Sequence, residues 1–346
     1  MSVEIKQLQK KDGQKWDAFV HKSSSSTFYH QIGWKKVIEE TYGHTAYYVF
    51  AENTDGDVIG ILPLFLIRNV LFLKNQFISV PFAPYAGVCC KDRDVGDALI
   101  NEAISLGKKL GVDYCELRQY QTITPSARYA TTNYYVTSVL TLGETPEETL
   151  NNLTRNKRKT VYKSQKNNLT FGYFRENNTI FNEFHRIYSV NMKILGSPQH
   201  GERFFRNILK YTDSDILCVF MEGRSCYAAM VLFFKDTVID FMSSAFVEDR
   251  KYYVTDFGIW NIVLKAHQLQ HKYIDFGRSI NNSDNLEFKR RWGAETIPLE
   301  YYYPLAEKID LAKLQPSNYK KYADIWSKIP STITNIVGPK LRGYIT

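Results

Sequence analysis

The sequence Tyr252-Tyr-Val-Thr-Asp-Phe-Gly258 begins the segment from which the fold can be inferred. The segment continues through Tyr273-Ile-Asp-Phe-Gly-Arg-Ser279 to Phe288-Lys-Arg-Arg-Trp-Gly-Ala-Glu295. Between the first two motifs, apolar residues recur every three or four positions, which predicts a helix with one inward face. That face consists of Ile259, Ile262, Val263, Ala266 and Leu269. Residues 272–276 predict a short strand, and Gly277 permits a sharp exit from it. A helix amino end and a strand carboxyl end joined by such a crossover form a common ligand site.

The composition favours a two-domain protein with an anionic partner. A length of 346 residues favours two domains over one, and 44% hydrophobic residues suffice for substantial cores. The net charge of +8 and the pI near 9.0 indicate an anionic partner. Charge alone does not choose among nucleic acid, nucleotide, phospholipid surface and anionic glycan.

The cysteines and the apolar segments bear on the compartment. The five cysteines show no metal-ligand spacing, and three lie in apolar, strand-like sequence, which favours a reducing cytoplasm over secretion. Glu4 and several lysines precede any apolar run, so we do not expect a signal peptide. The apolar window 58–73 contains Pro63, Arg68 and Asn69, which favours two strands over a membrane helix.

Strands and helices alternate, and their order recurs once. In the first half we predict strands over 3–8, 47–51, 58–66, 70–80 and 114–118, helices over 16–21, 28–42 and 97–110, and a proline-rich aromatic loop over 81–87. In the second half we predict strands over 216–221, 227–234, 237–243 and 273–276, with a helix over 257–270. Val49-Phe-Ala-Glu52 corresponds to Val219-Phe-Met-Glu222, and Glu116-Leu-Arg-Gln119 corresponds to Phe276-Gly-Arg-Ser279. We interpret this weak repeat as a tandem duplication of one mixed α/β domain; the alternative is that two mixed domains share an element order.

The predicted boundaries place one domain at 1–149 and the other at 150–306, with a basic linker helix over 150–167 and a helical tail over 307–346. The linker carries six basic residues and no acid between positions 155 and 166: Arg155, Lys157, Arg158, Lys159, Lys163 and Lys166. Positions 155, 159, 163 and 166 share one helical face, which is either a phosphate-binding surface or a solvated helix face. The tail is basic and weakly amphipathic, so it either lies on a membrane or packs on the second domain, and we favour packing.

Several kinds of catalytic site have no matching motif in the sequence. It contains no Walker loop, no glycine fingerprint between a strand and a helix, no His-Glu-x-x-His and no Gly-x-Ser-x-Gly. We therefore expect no metal site and no serine-hydrolase chemistry. Aromatic loops, basic clusters and strand ends remain, and these suit group transfer from an activated donor, where orientation supplies much of the rate.

Three residues are candidates for catalysis. His200 lies in the loop Gly196-Ser-Pro-Gln-His200, where a half-exposed imidazole with a near-neutral pKa could act as a general base. Asp275 is a possible base or orienting group, and Arg278 a possible oxyanion or phosphate ligand. The alternatives are a loop histidine without a role, and structural ion pairs for the other two.

Two further groups of residues are candidates for substrate binding. Lys289 and Arg290, followed by Trp292, form a possible phosphate clamp with a stacking ring. Arg155, Arg158 and Lys159 on the linker form a possible phosphate-binding face. Ser279 belongs with Arg278 at the end of its strand.

Two sets of motifs resemble one protein family. The first set comprises Phe28-Tyr-His-Gln-Ile-Gly-Trp34, Gly60-Ile-Leu-Pro-Leu64, Ser79-Val-Pro-Phe82 and Glu116-Leu-Arg118. The second comprises Gly196-Ser-Pro198, Asp275-Phe-Gly-Arg-Ser279 and Phe288-Lys-Arg-Arg-Trp-Gly-Ala-Glu295. Together they resemble the FemAB-related branch of the GNAT acyltransferase superfamily, which occurs in exopolysaccharide and cell-envelope gene clusters. The resemblance covers most of residues 1–305 and implies an α/β protein of two tandem GNAT-like domains.

The resemblance also implies an activity and a set of binding residues. The better-known family members move an amino acid from aminoacyl-tRNA to an amine of a peptidoglycan precursor, and related enzymes acylate amino sugars from acyl-CoA. Lys36, Phe82 and Tyr85 would line the acceptor groove of the first domain, with Arg118 nearby. Arg278, Lys289 and Arg290 would face the donor.

This chain departs from the family pattern in three ways. It has Pro81-Phe-Ala-Pro-Tyr-Ala-Gly87 in place of a Pro-Arg-Gly-Pro loop, and it lacks both the Gln/Arg-x-x-Gly-x-Gly/Ala pyrophosphate loop and a coiled-coil arm. These departures bear on the peptidoglycan precursor and on conventional acetyl-CoA binding.

We therefore predict a cytoplasmic N-acyltransferase that uses acyl-CoA or aminoacyl-tRNA as donor and an envelope glycan or peptide precursor as acceptor. Backbone amides of residues 243–246 would hold the oxyanion. A peripheral position at the inner membrane face, through the tail, is an open alternative. The alternative function is a non-catalytic protein that binds RNA or a membrane surface.

Overall fold

The computed structural model describes residues 3–69, 74–120, 125–307 and 309–345. It divides the chain into two compact units, and the chain returns to each unit after leaving it. The first unit comprises Met1–Tyr135, Pro298–Asn318 and Gly343–Thr346, and the second comprises Val136–Ile297 and Tyr319–Arg342. The domain boundaries drawn from the sequence stay a prediction.

Strands and helices alternate through most of the described residues. The strands are β1 (Glu4–Gln7), β2 (Thr45–Ala46), β3 (Val49–Glu52), β4 (Val58–Leu62), β5 (Phe65–Asn69), β6 (Lys74–Ile78), β7 (Cys89–Cys90), β8 (Tyr114–Gln119), β9 (Ala130–Thr141), β10 (Leu169–Phe174), β11 (Ser214–Met221), β12 (Arg224–Phe234), β13 (Thr237–Ala245), β14 (Tyr273–Ile280) and β15 (Glu295–Leu305). The helices are α1 (Gly13–Lys22), α2 (Ile32–Tyr42), α3 (Arg93–Leu110), α4 (Pro146–Asn152), α5 (Arg155–Gln165), α6 (Asn178–Ile194), α7 (Glu202–Tyr211), α8 (Val254–Gln268), α9 (Asp284–Arg291), α10 (Lys320–Lys328) and α11 (Ser331–Arg342).

The first unit contains two sheets, with strand orders β1-β3-β4-β7 and β15-β8-β6-β5-β2. The predicted strand over 58–66 is two strands in different sheets, because Pro63 cannot donate to a ladder and ends β4. The predicted strand over 70–80 is confirmed from position 74 to position 78, and its residues 70–73 lie outside the described residues. Helix α3 buries Leu99 and Ala103 against the core of this unit and ends, as predicted, at Gly111 in the left-handed region.

The second unit contains one sheet with the strand order β10-β11-β12-β13-β14-β9. Its strands from β10 to β13 are antiparallel neighbours, whereas β13 and β14 are parallel and are joined through α8. The predicted inward face of α8 is buried at Ile259, Ile262, Val263 and Ala266. Leu269 is 39% exposed instead, because α8 ends one residue before it.

Two local predictions in the second unit need correction. Strand β14 does not end at Gly277 but runs on to Ile280, because Gly277 takes a φ of +68° and bends the strand without ending it. The basic linker is not one helix but two, since the chain leaves α4 at Leu153 and a new helix begins after Thr154. The Thr154 hydroxyl caps α5 by accepting a hydrogen bond from the Lys157 amide.

The C-terminal helices α10 and α11 belong to the second unit, as favoured, whereas the tail before Tyr319 and after Arg342 belongs to the first unit. Among the described residues, no helix is both long enough and apolar enough to cross a bilayer.

Replacing Gly258 with Ala is expected to destabilise the second unit. A Cβ at Gly258 would lie 2.3 Å from the Tyr227 ring, and Tyr227 is itself fully buried and has no room to withdraw. Overpacking of this kind costs about 1–3 kcal/mol. The matched control is Gly13→Ala in α1, where the added methyl meets nothing closer than 4.0 Å. Thermal unfolding should show a lower midpoint for Gly258→Ala alone; equal midpoints would contradict this close packing.

Candidate active site

The sheet of the second unit opens between β13 and β14. The two strands pair only at Thr237↔Tyr273, Val238↔Ile274 and Ile239↔Asp275, although β13 continues to Ala245 and β14 to Ile280. A register shift opposite Met230 and Val231 bends β13, and Gly277 bends β14. The carboxyl ends of parallel strands, followed by a helix amino end, are where ligands bind in such sheets. We therefore treat this opening as the candidate site.

Asp240 is the first residue of β13 beyond the last pair with β14. It is only 8% exposed, and its Oδ1 atom has no hydrogen-bond partner among the described residues. Burial raises the pKa of Asp240 to about 6, while Lys289 and a hydrogen bond with Ser243 oppose the rise. A carboxylate in this state can accept a proton near neutral pH. The sequence reasoning missed Asp240 because the run Val238-Ile-Asp-Phe241 reads as an ordinary strand.

Asp275 lies buried on β14 at the last pair of the ladder. Its Oδ1 atom accepts hydrogen bonds from the Thr137 hydroxyl at 2.9 Å and from the Gly277 amide at 2.7 Å. Burial raises the pKa of Asp275 to about 6, against the effect of the Gly277 amide and of Lys289. The carboxylate therefore holds the bend at Gly277, which suits the predicted role of an orienting group better than that of a base.

Lys289 brings a buried amine from α9 to the same bend. Its Nζ atom donates to the carbonyl oxygens of Gly277 at 2.8 Å and of Arg278 at 3.2 Å. Burial lowers the pKa of Lys289 to about 8, although Asp275 and Asp240 raise it. An ammonium group has three N–H donors, so one remains for a ligand. The opening thus combines a carboxylate and an amine that both titrate near neutrality.

A second buried ion pair occupies the amino end of α8. Lys157 on α5 lies 2.6 Å from the Asp256 carboxylate in the first turn of α8. The Lys157 ammonium also lies 4.8 Å from the Phe288 ring centroid and 4.9 Å from the Trp292 ring centroid. A carboxylate is favoured at a helix amino end, so Asp256 takes the place where an anionic ligand would bind. Trp292 is fully buried and its ring contacts the Lys157 ammonium, so the ring is not open to stacking with a ligand as we predicted.

A groove of about 400 Å³ runs along α6. It is lined by Asn182, His185, Arg186, Ser189, Val190, Lys193, Glu202, Ser331 and Asn335. The Arg186 guanidinium lies 4.7 Å from the centroid of the Phe246 ring, and Phe246 directly follows β13. The Ser189 hydroxyl is buried without a partner among the described residues. Arg186 in the wall of the groove therefore contacts the residue that follows the end of β13.

The environment that we predicted for His200 is wrong. The imidazole is fully buried and stacks on Phe204 at 4.0 Å, and its Nε2 atom accepts a hydrogen bond from Arg342 at 3.1 Å. Burial, together with Arg342 and His185, lowers the pKa of His200 well below its usual value. His200 is therefore a buried residue that packs beneath α11, and not the partly exposed imidazole that we predicted.

The remaining predicted residues of the second unit divide between the opening and the surface. Arg278 is half-buried at the bend, and the buried Ser279 hydroxyl accepts a hydrogen bond from Asn285. Arg290 is exposed and bonds to Glu287 and Thr296. Arg155 and Lys159 are exposed on α5, whereas Arg158 donates to Asn151. The structure thus brings Asp275, Arg278, Ser279 and Lys289 together and leaves Arg155 and Lys159 of the linker on the surface.

The first unit also contains two parallel strands that pair over three positions, but there the chain fills the space beyond the last pair. Strands β6 and β8 pair over three positions, and beyond them the Ser79 amide donates to Glu116 and the Arg118 amide to the Ser79 hydroxyl. The Arg118 guanidinium bonds to Glu116 and to the carbonyl oxygens of Val80 and Ala83. The loop over 81–87 therefore fills the place that stays open in the second unit.

Burial also corrects the predicted acceptor groove of the first unit. Phe82, Tyr85 and Arg118 are buried, with the Phe82 ring 4.5 Å from Tyr42 and the Tyr85 ring 4.5 Å from Tyr120. These side chains pack within the unit and do not line an open groove. Lys36 alone of this set is exposed, on α2. In the part of the chain that the structure describes, no cluster of three acidic, cysteine or histidine side chains could hold a metal ion.

Known structures share this fold, although no protein-family model and no curated protein sequence matches the chain. FemX superposes with a TM-score of 0.71 at 13% identity, over 92% of this chain and 100% of that one. The C-terminal domain of a protein assigned as a lysylphosphatidylglycerol synthetase of Agrobacterium fabrum gives 0.61 at 10% identity, over 89% and 96%. A tandem GNAT protein from the clavulanic acid biosynthesis pathway gives 0.53 at 10% identity, over 88% and 99%. The predicted α/β fold of two tandem GNAT-like domains is confirmed, and so is the FemAB-related resemblance at the level of the fold.

Replacing Asp240 with Asn is expected to stabilise the protein at pH 8 and to change its stability little at pH 4. The pKa of about 6 in the folded state exceeds the usual 3.8, so the ionised carboxylate lowers the free energy of unfolding above pH 6. That cost disappears as the pH falls below both values, and its full size is roughly 2–3 kcal/mol. Thermal unfolding at both pH values tests this, with Asp236→Asn in the preceding turn as control. A lower midpoint for Asp240→Asn at pH 8 would contradict the expected cost.

Proposed function

We propose that this chain transfers an aminoacyl group from a charged tRNA to an amine of a cell-envelope precursor. The observation that carries the proposal is the pair of buried, near-neutral groups, Asp240 and Lys289, at the opening of the sheet. Perturbed groups of opposite type at a strand opening are typical of acid–base sites. The fold shared with FemX and with a tandem GNAT protein supports the same class of reaction.

The proposed reaction needs one proton carrier and one centre of positive charge. The acceptor nitrogen attacks the ester carbonyl of the donor, and Asp240 removes the proton from that nitrogen. The oxyanion that forms is stabilised by the Lys289 ammonium and by backbone N–H groups of β13 that face the opening. Collapse breaks the bond between the acyl carbon and the ribose oxygen, and Asp240 returns its proton to that oxygen. No proton is gained or lost overall.

One predicted oxyanion donor does not take part in this scheme. The Phe246 amide already donates to the Cys226 carbonyl, so only the earlier residues of the predicted stretch, 243–245, are candidates.

The ion pair at α8 favours tRNA over acyl-CoA as donor. A pyrophosphate group would be attracted to the amino end of α8, but the Asp256 carboxylate already lies there, paired with Lys157. The exposed cations Arg155, Lys159 and Lys163 of α5 instead offer a row of contacts for the phosphates of a long polyanion. These two features, together with the absent pyrophosphate loop, make acyl-CoA the less favoured donor.

The groove along α6 is the proposed acceptor site. Arg186 and Lys193 would bind acidic groups of the precursor, and the contact of Arg186 with Phe246 directs the groove toward the end of β13. The name of the synthetase with the related fold specifies an aminoacyl group on a phospholipid, which agrees with an envelope acceptor. The proposal does not extend to exopolysaccharide, because none of the compared structures is named for it.

A non-catalytic RNA-binding protein is the second candidate, and the exposed cations of α5 are the observation that favours it. The two candidate functions differ in which contacts supply the affinity for RNA: surface contacts with phosphates in a binding protein, and a pocket for the donor end in a transferase. Surface contacts with phosphates weaken by orders of magnitude between low and moderate salt, whereas a pocketed donor end loses much less.

Asp240→Asn is expected to lower kcat by about 100-fold or more, the usual contribution of a general base. In the wild type, kcat/KM should rise as Asp240 deprotonates near pH 6 and fall as Lys289 loses its proton near pH 8. The rising limb should disappear in Asp240→Asn and the falling limb in Lys289→Met. Asp236→Asn serves as the matched carboxylate control. Unchanged limbs in both variants would remove these residues from the reaction.

Charged tRNA is expected to bind at about 150 mM salt, near physiological ionic strength, without displacement by acetyl-CoA. Replacing Arg155, Lys159 and Lys163 with Gln should weaken this binding at least about tenfold, because three phosphate contacts are lost. The control replaces the exposed Lys10, Lys11 and Lys22 with Gln, which lowers the net charge equally. Saturable acyl-CoA binding without tRNA binding would overturn the proposed donor.

A further inference from the structure

The outward faces of α10 and α11 carry apolar side chains that the protein leaves uncovered. Ile333, Ile336 and Val337 lie on one face of α11, and Tyr322 and Ile325 lie on α10. Their exposed fractions are 50, 67, 37, 68 and 53%, respectively. Scattered apolar residues are ordinary on a protein surface, but a run at helical spacing along two successive helices indicates a contact with something outside the chain.

The opposite faces of these helices are held against the second unit. A Cβ at Gly196 would lie 2.4 Å from the Ala323 carbonyl oxygen, and a Cβ at Gly338 would lie 2.4 Å from the Gln199 side chain. Gln199 donates to the Thr334 carbonyl and to the Asn335 side chain, and Arg342 donates to His200. The loop over 196–201 thus seats both helices, so the exposed face cannot turn inward without losing these contacts.

The charges around the apolar face have one predominant sign. Between positions 319 and 345 the chain carries Lys320, Lys321, Lys328, Lys340 and Arg342, against the single acid Asp324. The four lysines are exposed, and Arg342 is half-buried beneath the helix. Apolar side chains bordered by lysines are the pattern of helices that lie in the interface of an anionic membrane.

We infer that α10 and α11 dock this protein on an anionic lipid surface, with the apolar side chains inserted among the acyl chains and the lysines at the phosphate groups. A protein partner would need an apolar groove bordered by acidic side chains. An anionic bilayer supplies both the apolar surface and the negative charge wherever the helices meet it. The inference does not rest on the proposed transfer reaction, because it concerns the outer side of the helices alone.

The docking also has a consequence for the groove along α6. Ser331 and Asn335 of α11 line that groove, and the Lys193 amine of α6 lies 3.2 Å from the Ser331 hydroxyl. The helix that contacts the lipid surface on one side therefore borders the proposed acceptor site on another. An acceptor carried by a lipid anchor would reach the groove without leaving the membrane surface.

Sedimentation with lipid vesicles tests the inference. Full-length wild type should bind vesicles of phosphatidylcholine containing about one third phosphatidylglycerol at about 150 mM salt. Ile333→Ser combined with Ile336→Ser should weaken that binding at least about tenfold, because two exposed side chains lose their apolar surface. Leu264→Ser on α8, another exposed helical residue, is the matched control and should bind like wild type. Lys321→Gln, Lys328→Gln and Lys340→Gln together should weaken binding to the anionic vesicles and leave any binding to pure phosphatidylcholine unchanged.

Three outcomes would overturn the inference. Wild type that does not bind the vesicles is one, and the double-serine variant binding as tightly as wild type is another. The third is a dimer in sedimentation velocity that the double-serine variant dissociates, since the face would then cover a second copy of this chain. Turnover of a water-soluble acceptor analogue should be the same in the double-serine variant and wild type. A loss of turnover in Asp240→Asn without loss of vesicle binding separates the reaction from the docking.

Discussion

The short pairing of β13 with β14 is the constraint on which the candidate site depends. The strands share three residue pairs and then separate, so the charged groups beyond that point are buried without a continuous ladder beside them. Asp275 accepts a hydrogen bond from the Gly277 amide, and Lys289 donates one to the Gly277 carbonyl. The Oδ1 atom of Asp240 has no hydrogen-bond partner among the described residues. The Lys289 ammonium makes the burial of both carboxylates less costly, and they do the same for Lys289, because opposite charges in a low-dielectric site compensate part of their desolvation.

The two units show what closes such a site and what leaves it open. In the first unit, Arg118 and the loop over 81–87 satisfy the strand ends with hydrogen bonds from the chain itself. In the second unit, β13 is followed by a short 3-10 helix (Val247–Tyr252) and α8, and β14 is followed by α9, so no such loop crosses the opening among the described residues. The same parallel arrangement therefore serves packing in one unit and offers a binding site in the other. A duplicated fold does not by itself duplicate a function.

Neighbouring residues of one charged run have different structural roles. Lys157 and Lys159 are two positions apart on α5, so they point to different sides of the helix. Lys157 is buried against Asp256 and between two aromatic rings, where it joins α5 to α8 and α9, whereas Lys159 is exposed. The basic linker thus contributes both to the core of the second unit and to its surface charge. The loop over 196–201 is similar, because its histidine and glycines seat the C-terminal helices.

The tandem α/β architecture and the order of many elements could be predicted from the sequence, whereas strands β9, β10 and β15 were not predicted. Helical periodicity, turn residues and caps such as Gly111 act within a few positions of the chain, so they can be read without the fold. The burial of charged side chains and the separation of β13 from β14 depend on the tertiary fold and could not be predicted from local sequence. Asp240, His200 and Trp292 have their surroundings supplied by residues far away in the sequence, and burial and pKa depend on those surroundings. For that reason the sequence indicated most of the residues around the bend at Gly277 but missed Asp240. It also predicted ligand-accessible side chains at His200 and Trp292, which the fold buries.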